Sequence, residues 1–274
     1  MQENRLLKQR LTLFLVGDST MAAFPSGPGE TRYGYGTRLQ DCFDPSVQVV
    51  NLALSGRSSK SFLAEEEYNL LLSSLKQGDY LAIAFGHNDE KPDPARHTAA
   101  NLPADDPRGF AYHLDRYYLQ IAFDRGAHPI LCTPIVRRDP EGRYIGAHVH
   151  RVGEGSDGEA EDYPQTIRDL AFLRGVTLID MTQATERLYR ERGPKGTLAL
   201  HATQPDDSSK PDNSHLSAEG AWVIARLWAE TLRRTADPLR LRLKPLENDG
   251  FNQDEGSTKK SVFPEERRGE RVNP

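Results

Sequence analysis

Residues 11–20 read LTLFLVGDST, an apolar stretch that stops abruptly at Gly17, Asp18, Ser19 and Thr20. A run of Leu, Phe and Val closed by a glycine is the pattern of a strand buried on both faces, as strands in parallel sheets are. In open α/β sheets ligands bind in the crevice beyond the carboxyl ends of the strands, so a serine at that end is presented to a ligand rather than packed away. Ser19 is therefore a candidate nucleophile. Taken alone, a Gly-Asp-Ser-Thr turn is equally an ordinary strand exit.

Two further apolar runs end in the same way. Residues 47–52 lead into Ala53, Leu54, Ser55, Gly56, Arg57, Ser58 and Ser59, and residues 80–85 stop at Gly86, His87, Asn88 and Asp89. A fourth strand at 129–132 exits through Thr133 and Pro134 towards Arg137 and Arg138, and a fifth spans 176–179. Helical patterns occupy residues 37–43, 110–125, 164–172 and 181–190, with another running to about residue 75. In the second of these Leu114, Tyr117, Tyr118 and Ile121 recur at helical spacing and belong to the core. Repeated strand and helix units predict right-handed crossovers and a parallel sheet with helices on both faces. Residues 24–36, 91–106 and 145–163 read as loops, and 205–209 as a polar loop before Asp212, Asn213, Ser214 and His215. Ser217 then caps a final helix with Glu219 in its first turn, where a negative charge suits the dipole. Ala221, Ile224, Leu227, Trp228 and Leu232 form its apolar face.

Composition limits the partners. A chain of 274 residues, 37% of them hydrophobic, can bury one full core, and from residue 244 onward apolar residues become scarce. This predicts a domain over 1–246 and a polar tail over 247–274. A net charge of -5 argues against nucleic acid, whose binding surfaces carry an excess of Lys and Arg. No stretch has the length of a membrane span. Residues 1–10 are charged and polar and no small-residue cleavage site follows, so a signal peptide is not expected. Cys42 and Cys132 are too few for a disulfide framework or a thiolate metal site, and the expected location is the cytoplasm. Gly153, Gly155 and Gly158 satisfy GxGxxG, but no strand is predicted before them and the acidic run 159–162 follows, which excludes a dinucleotide site. His148 and His150, near Glu154 and Asp157, read as solvated loop residues rather than metal ligands.

Nucleophilic serine catalysis needs a base within reach of the hydroxyl, a carboxylate to orient it, and donors for the oxyanion. Asp212 and His215 are three residues apart before a capped helix, a spacing that can set carboxylate and imidazole side by side in one turn. The same pair also occurs simply as a surface ion pair. The backbone N–H groups of Ser19 and Gly56 and the side-chain amide of Asn88 converge if strands one, two and three are neighbours. A glycine serves there because it lets the backbone approach a ligand closely.

GDST at 17–20, SGRSS at 55–59, GHND at 86–89 and DNSH at 212–215, in this order and at these intervals, resemble the four blocks of the SGNH (GDSL-type) hydrolase family. With FGHND after strand three and TPIVRR after strand four, the spelling looks most like the rhamnogalacturonan acetylesterase branch. The resemblance implies a flavodoxin-like three-layer α/β/α sandwich with a central parallel sheet of about five strands. It implies Ser19 as nucleophile, His215 as base, Asp212 as the residue orienting the imidazole, and Ser19, Gly56 and Asn88 as the oxyanion hole. The expected activity is removal of acetyl groups from pectic oligosaccharides by a serine esterase without cofactor or metal, acting as a monomer or homodimer. Arg57, His87 and Arg137 are candidate substrate contacts, and Lys60 and Arg138 are further cations for galacturonate carboxylates. Rival readings are an esterase on another acetylated carbohydrate such as xylan, a metal-dependent phosphoesterase, and a catalytically silent carbohydrate-binding module. Against the phosphoesterase, the order Gly86, His87, Asn88, Asp89 is wrong for metal ligation, and Ser19 stands where a histidine is expected.

Overall fold

Side chains alternate along a strand, so a strand covered on both faces sends successive residues into two different layers. In the computed structural model, which describes residues 10–27, 29–142, 151–154 and 160–245, the strand β1 (Leu11–Gly17) does this. Phe14 and Val16 join a buried cluster with Tyr68, Leu71, Phe110, Leu114, Tyr118, Ile167 and Leu170, which come from the helices on one face. Leu13 and Leu15 are buried on the other face, as are Leu39, Ile224 and Trp228. There Trp228 meets Cys132, its indole N–H 3.3 Å from Sγ, and stands edge-on to Phe43. Each fully buried Leu or Phe contributes about 1.5–3 kcal/mol. With both faces covered, β1 is an anchor of the fold.

The sheet contains β1, β2 (Val47–Asn51), β3 (Tyr80–Ala84), β4 (His128–Cys132) and β7 (Thr177–Ile179), ordered β2-β1-β3-β4-β7 and parallel throughout. Helices Glu66–Ser74 and Tyr163–Arg174 lie on one side, with a run made of Phe110–Leu114, a π-helical turn Asp115–Leu119 and Gln120–Asp124. Helix Ala218–Arg233 lies on the other, packed on Tyr35–Arg38, Leu39–Cys42 and helix Met181–Gly196. This is the three-layer α/β/α sandwich anticipated from the sequence. Its strand order places the topological switch point between β1 and β3, where ligands bind in such sheets.

Three local expectations need correction. The polar loop at 205–209 is the tip of an antiparallel hairpin of β8 (His201–Gln204) and β9 (Asp207–Leu216), and β9 carries Asp212 and His215. β9 is polar at nearly every position and only Asp212 and Leu216 in it are buried, so it lacks the apolar alternation that marks a strand in sequence. The loop at 145–163 contains a second hairpin, β5 (Arg151–Glu154) with β6 (Ala160–Asp162), and Gly153 lies in β5. Helix Met181–Gly196 continues past residue 190, with a kink at Gly193. The final helix starts as expected, the Ser217 hydroxyl accepting the Gly220 N–H at 3.1 Å. His148, His150, Gly155, Gly158 and the tail after residue 246 lie outside the described residues.

Candidate active site

The exit of β1 is set by its own side chains. Asp18 Oδ1 accepts the Thr20 N–H at 2.9 Å and the Thr20 hydroxyl at 2.8 Å, and the Asp18 carbonyl accepts the N–H groups of Met21 and Ala22. Such an Asx turn fixes the intervening residue, here Ser19. Gly17 is required by proximity, since a Cβ there would stand 2.5 Å from the Ala84 carbonyl oxygen of β3. Main-chain bonds then join the three strand exits. Leu54 N–H donates to the Gly17 carbonyl at 3.1 Å, and Asp18 N–H to the Ala84 carbonyl at 3.3 Å.

The structure brings Ser19, His215 and Asp212 together. Ser19 Oγ is 3.0 Å from His215 Nε2, and His215 Nδ1 is 2.6 Å from Asp212 Oδ2. The other Asp212 oxygen accepts the N–H groups of Ser214 at 2.9 Å and His215 at 3.0 Å, which closes the turn between carboxylate and imidazole. Burial opposes ionisation of Asp212, but the hydrogen bonds from the His215 ring, Ser214 and the His215 N–H outweigh it and hold the carboxyl at about 2. An ionised Asp212 can only accept, so Nδ1 carries the proton and Nε2 offers its lone pair to the Ser19 hydroxyl. Ser19 is 8% exposed and the His215 side chain 23%, so the pair opens to solvent beyond the strand ends.

Asn88, buried at the exit of β3, donates from Nδ2 to the Arg57 carbonyl at 3.1 Å. That bond draws its amide to the loop that carries Gly56 and uses one of the two Nδ2 hydrogens. Gly56 has φ of 77°, a left-handed conformation, and a Cβ built on it would meet nothing within 4 Å. It is the turn, not crowding by protein, that calls for glycine there. Behind Asn88, Asp89 is wholly buried and accepts the Ser59 N–H at 3.0 Å, the Ser59 hydroxyl at 2.5 Å and the Thr98 hydroxyl at 2.8 Å. Burial pushes its carboxyl up to about 7 despite those donors.

The basic residues are engaged within the protein. Arg57 pairs with Glu65 at 2.5 Å, Arg137 pairs with Glu90, and Lys60 donates to the Pro94 carbonyl at 2.9 Å. His87 is buried, and its carbonyl accepts from Arg137 at 3.4 Å. Arg138 is bound to Asn213 and Pro194. Sequence reasoning missed Phe24, whose ring stands edge-on to His215 with centroids 5.7 Å apart and carries the Arg32 guanidinium 4.7 Å above it. It sits in an aperiodic loop that offers no pattern to read. Among the described residues no group of three or more His, Cys, Asp and Glu side chains is arranged to hold a metal ion, and no helix is long and apolar enough to cross a membrane.

The profile of the GDSL-like Lipase/Acylhydrolase family matches residues 15–223, a span that takes in Ser19, Gly56, Asn88, Asp212 and His215. The chain belongs to this family. As a GDSL-like acylhydrolase it is a carboxylic ester hydrolase. It is 32% identical over 246 residues to the rhamnogalacturonan acetylesterase RhgT of Bacillus subtilis (strain 168), covering 86% of this chain and 95% of that one. The probable rhamnogalacturonan acetylesterase YesY of the same organism is 27% identical, with 83% and 94% covered. Among solved structures, the Bacillus subtilis protein YxiM superposes with a TM-score of 0.62 at 25% identity over 82% of this chain and 57% of that one. A catalytic mutant of Axe2, an acetylxylan esterase from Geobacillus stearothermophilus, gives 0.54 at 18% identity over 82% and 94%, a likeness of fold.

Proposed function

We propose that this esterase removes acetyl groups from acetylated rhamnogalacturonan-type pectic oligosaccharides through an acyl-enzyme on Ser19. The observation that carries the chemistry is the unbroken chain from Asp212 through His215 to the Ser19 hydroxyl. His215 Nε2 takes the Ser19 proton as Oγ bonds to the acetyl carbon. The carbonyl oxygen gains the charge and meets the N–H groups of Ser19 and Gly56 and the remaining Nδ2 hydrogen of Asn88. His215 then gives its proton to the sugar oxygen as the C–O bond breaks. Water repeats the two transfers and releases acetate. Asp212 stays ionised throughout and stabilises the imidazolium.

The substrate class rests on the similarity to RhgT over nearly the whole of both chains. An acetyl group needs only a shallow acyl pocket, so discrimination falls to contacts with the sugar, for which Phe24 and the loop over 91–106 are placed beside the base and Asn88 respectively. The buried thiols Cys42 and Cys132 suit a reducing cytoplasm. The test is acetate release from acetylated rhamnogalacturonan, acetylated xylan and an aryl acetate, with Ser19→Ala as control. Preference for the pectic substrate is expected. Preference for xylan overturns the substrate assignment; sugar binding without acetate release, or phosphatase activity stimulated by manganese, overturns the chemistry.

A further inference from the structure

The Asp212–His215 turn lies on a hairpin outside the main sheet, yet an esterase relay tolerates little displacement of its base. Two side chains connect this turn to helix Met181–Gly196. His201 on β8 is buried, with Nδ1 3.0 Å from the Asp212 carbonyl oxygen and Nε2 2.8 Å from the Tyr189 hydroxyl. A carbonyl only accepts, so Nδ1 carries the proton and Nε2 accepts from Tyr189, giving a directed chain from the helix through the imidazole to Asp212. Burial lowers His201 to about 4, which keeps this ring neutral and its tautomer fixed. On the other side, the Arg138 N–H donates to the Asn213 carbonyl at 2.8 Å and Nη1 to Asn213 Oδ1 at 2.9 Å. Nη2 reaches the Pro194 carbonyl at 3.0 Å, at the kinked end of the same helix.

We infer that helix Met181–Gly196 holds the acid–base turn in register through His201 on Asp212 and Arg138 on Asn213, which makes both side chains positioning residues for the ester hydrolysis. The inference rests on the assignment of His215 as base to Ser19. It also reassigns Arg138, whose amino groups serve the protein rather than a substrate carboxylate.

The test compares His201→Ala, His201→Asn, Tyr189→Phe and Arg138→Met in the full chain. Hydrolysis of an aryl acetate is measured, and active sites are counted by fluorophosphonate labelling. Misplacing a catalytic group by about 1 Å costs up to about a hundredfold. His201→Ala and Arg138→Met are therefore expected to lower kcat about ten- to a hundredfold with KM for the aryl acetate within about twofold. His201→Asn, whose amide reaches the position of Nδ1, restores most of the loss. Unchanged kcat per labelled site in His201→Ala and Arg138→Met overturns the inference, as does a fall in His201→Ala that His201→Asn fails to reverse. A rise in KM for acetylated oligosaccharide alone in Arg138→Met returns that residue to substrate contact and overturns its part. If His201→Ala does not fold, Tyr189→Phe decides the His201 arm, with a kcat loss of about two- to tenfold expected and none overturning it. Retained activity in Ser19→Ala marks a failure of the underlying mechanism rather than of the two bridges.

Discussion

The Ser19 side of the site and the Asp212–His215 side are built by different means. Ser19, Gly56 and Asn88 leave three adjacent parallel strands, and main-chain bonds sew those exits together: Leu52 N–H to the Leu15 carbonyl, Leu54 N–H to that of Gly17, and Asp18 N–H to that of Ala84. Asp212 and His215 stand on a two-stranded hairpin with register shifts in its ladder, and side chains from elsewhere grip it. The proposed nucleophile and oxyanion donors are thus tied to the sheet by main-chain bonds, and the proposed base is held by side-chain contacts. On the first side, main-chain bonds between the strand exits and the Asp18 turn within one of them carry the precision. On the second, residues remote from substrate carry it.

The largest effects test whether the two sides form one machine. Ser19→Ala is expected to lower hydrolysis of acetylated substrate by at least about 10⁴-fold and to abolish fluorophosphonate labelling. Asp212→Asn keeps the shape of the turn but lets an amide N–H face Nδ1, favouring the wrong tautomer, and a loss of kcat of about 10³- to 10⁴-fold follows. Kinetics within tenfold of the parent for Asp212→Asn would separate the hairpin from the chemistry. Next comes Asn88→Ala on the sheet side, at about 2.7–4 kcal/mol for a lost oxyanion donor, or a hundred- to a thousandfold in kcat. A loss below tenfold removes Asn88 from the hole.

The same division explains what could be read from the sequence. The sheet side was legible because strands buried on both faces are written as apolar runs, and each of the first three stops at a small polar cluster that holds a candidate site residue. The spacing of Asp212 and His215 was equally visible. What holds them was not, because β9 is polar along almost its whole length and because its supports, His201, Tyr189 and Arg138, are ordinary residues made relevant only by tertiary contact. Arg57 and Arg137 read as cations for a substrate, since nothing local reveals that Glu65 and Glu90 pair with them. Phe24 beside His215 was hidden in a loop without periodicity.

Two buried carboxyls give the comparison opposite pH dependences. Asp89, on the sheet side, is raised to about 7 chiefly by burial, so between about pH 4 and pH 7 the folded protein keeps a proton that the unfolded chain has released. Its contribution to stability is full below about pH 4 and is lost as pH rises to 7, at up to about 1.4 kcal/mol per pH unit. Asp212 is lowered to about 2, so its contribution is present above about pH 4 and is lost as pH falls towards 2. Denaturant unfolding of the parent and of Asp89→Asn across pH 4–7 isolates the first of these. The variant should show a flatter profile, and parallel profiles would mean that Asp89 is ionised in the folded protein.

Gly56→Ala is the mildest probe and the one that asks most directly whether main-chain geometry carries the oxyanion side. The substitution keeps the N–H and places a Cβ in open space, so protein sterics add nothing to its cost. What it does oppose is the φ of 77°, at about 1–2 kcal/mol for an L-residue in the left-handed region. For a domain of this size that lowers Tm by roughly 2–8 °C. If the Leu54 to Gly17 bond and the Asn88 amide on the Arg57 carbonyl hold the loop in place, the N–H remains aimed and kcat falls less than about tenfold. A kcat loss approaching that of Asn88→Ala, with Tm unchanged, would mean that the loop relaxes instead of bearing the strain. The sheet side would then depend on local side-chain freedom as much as the hairpin does.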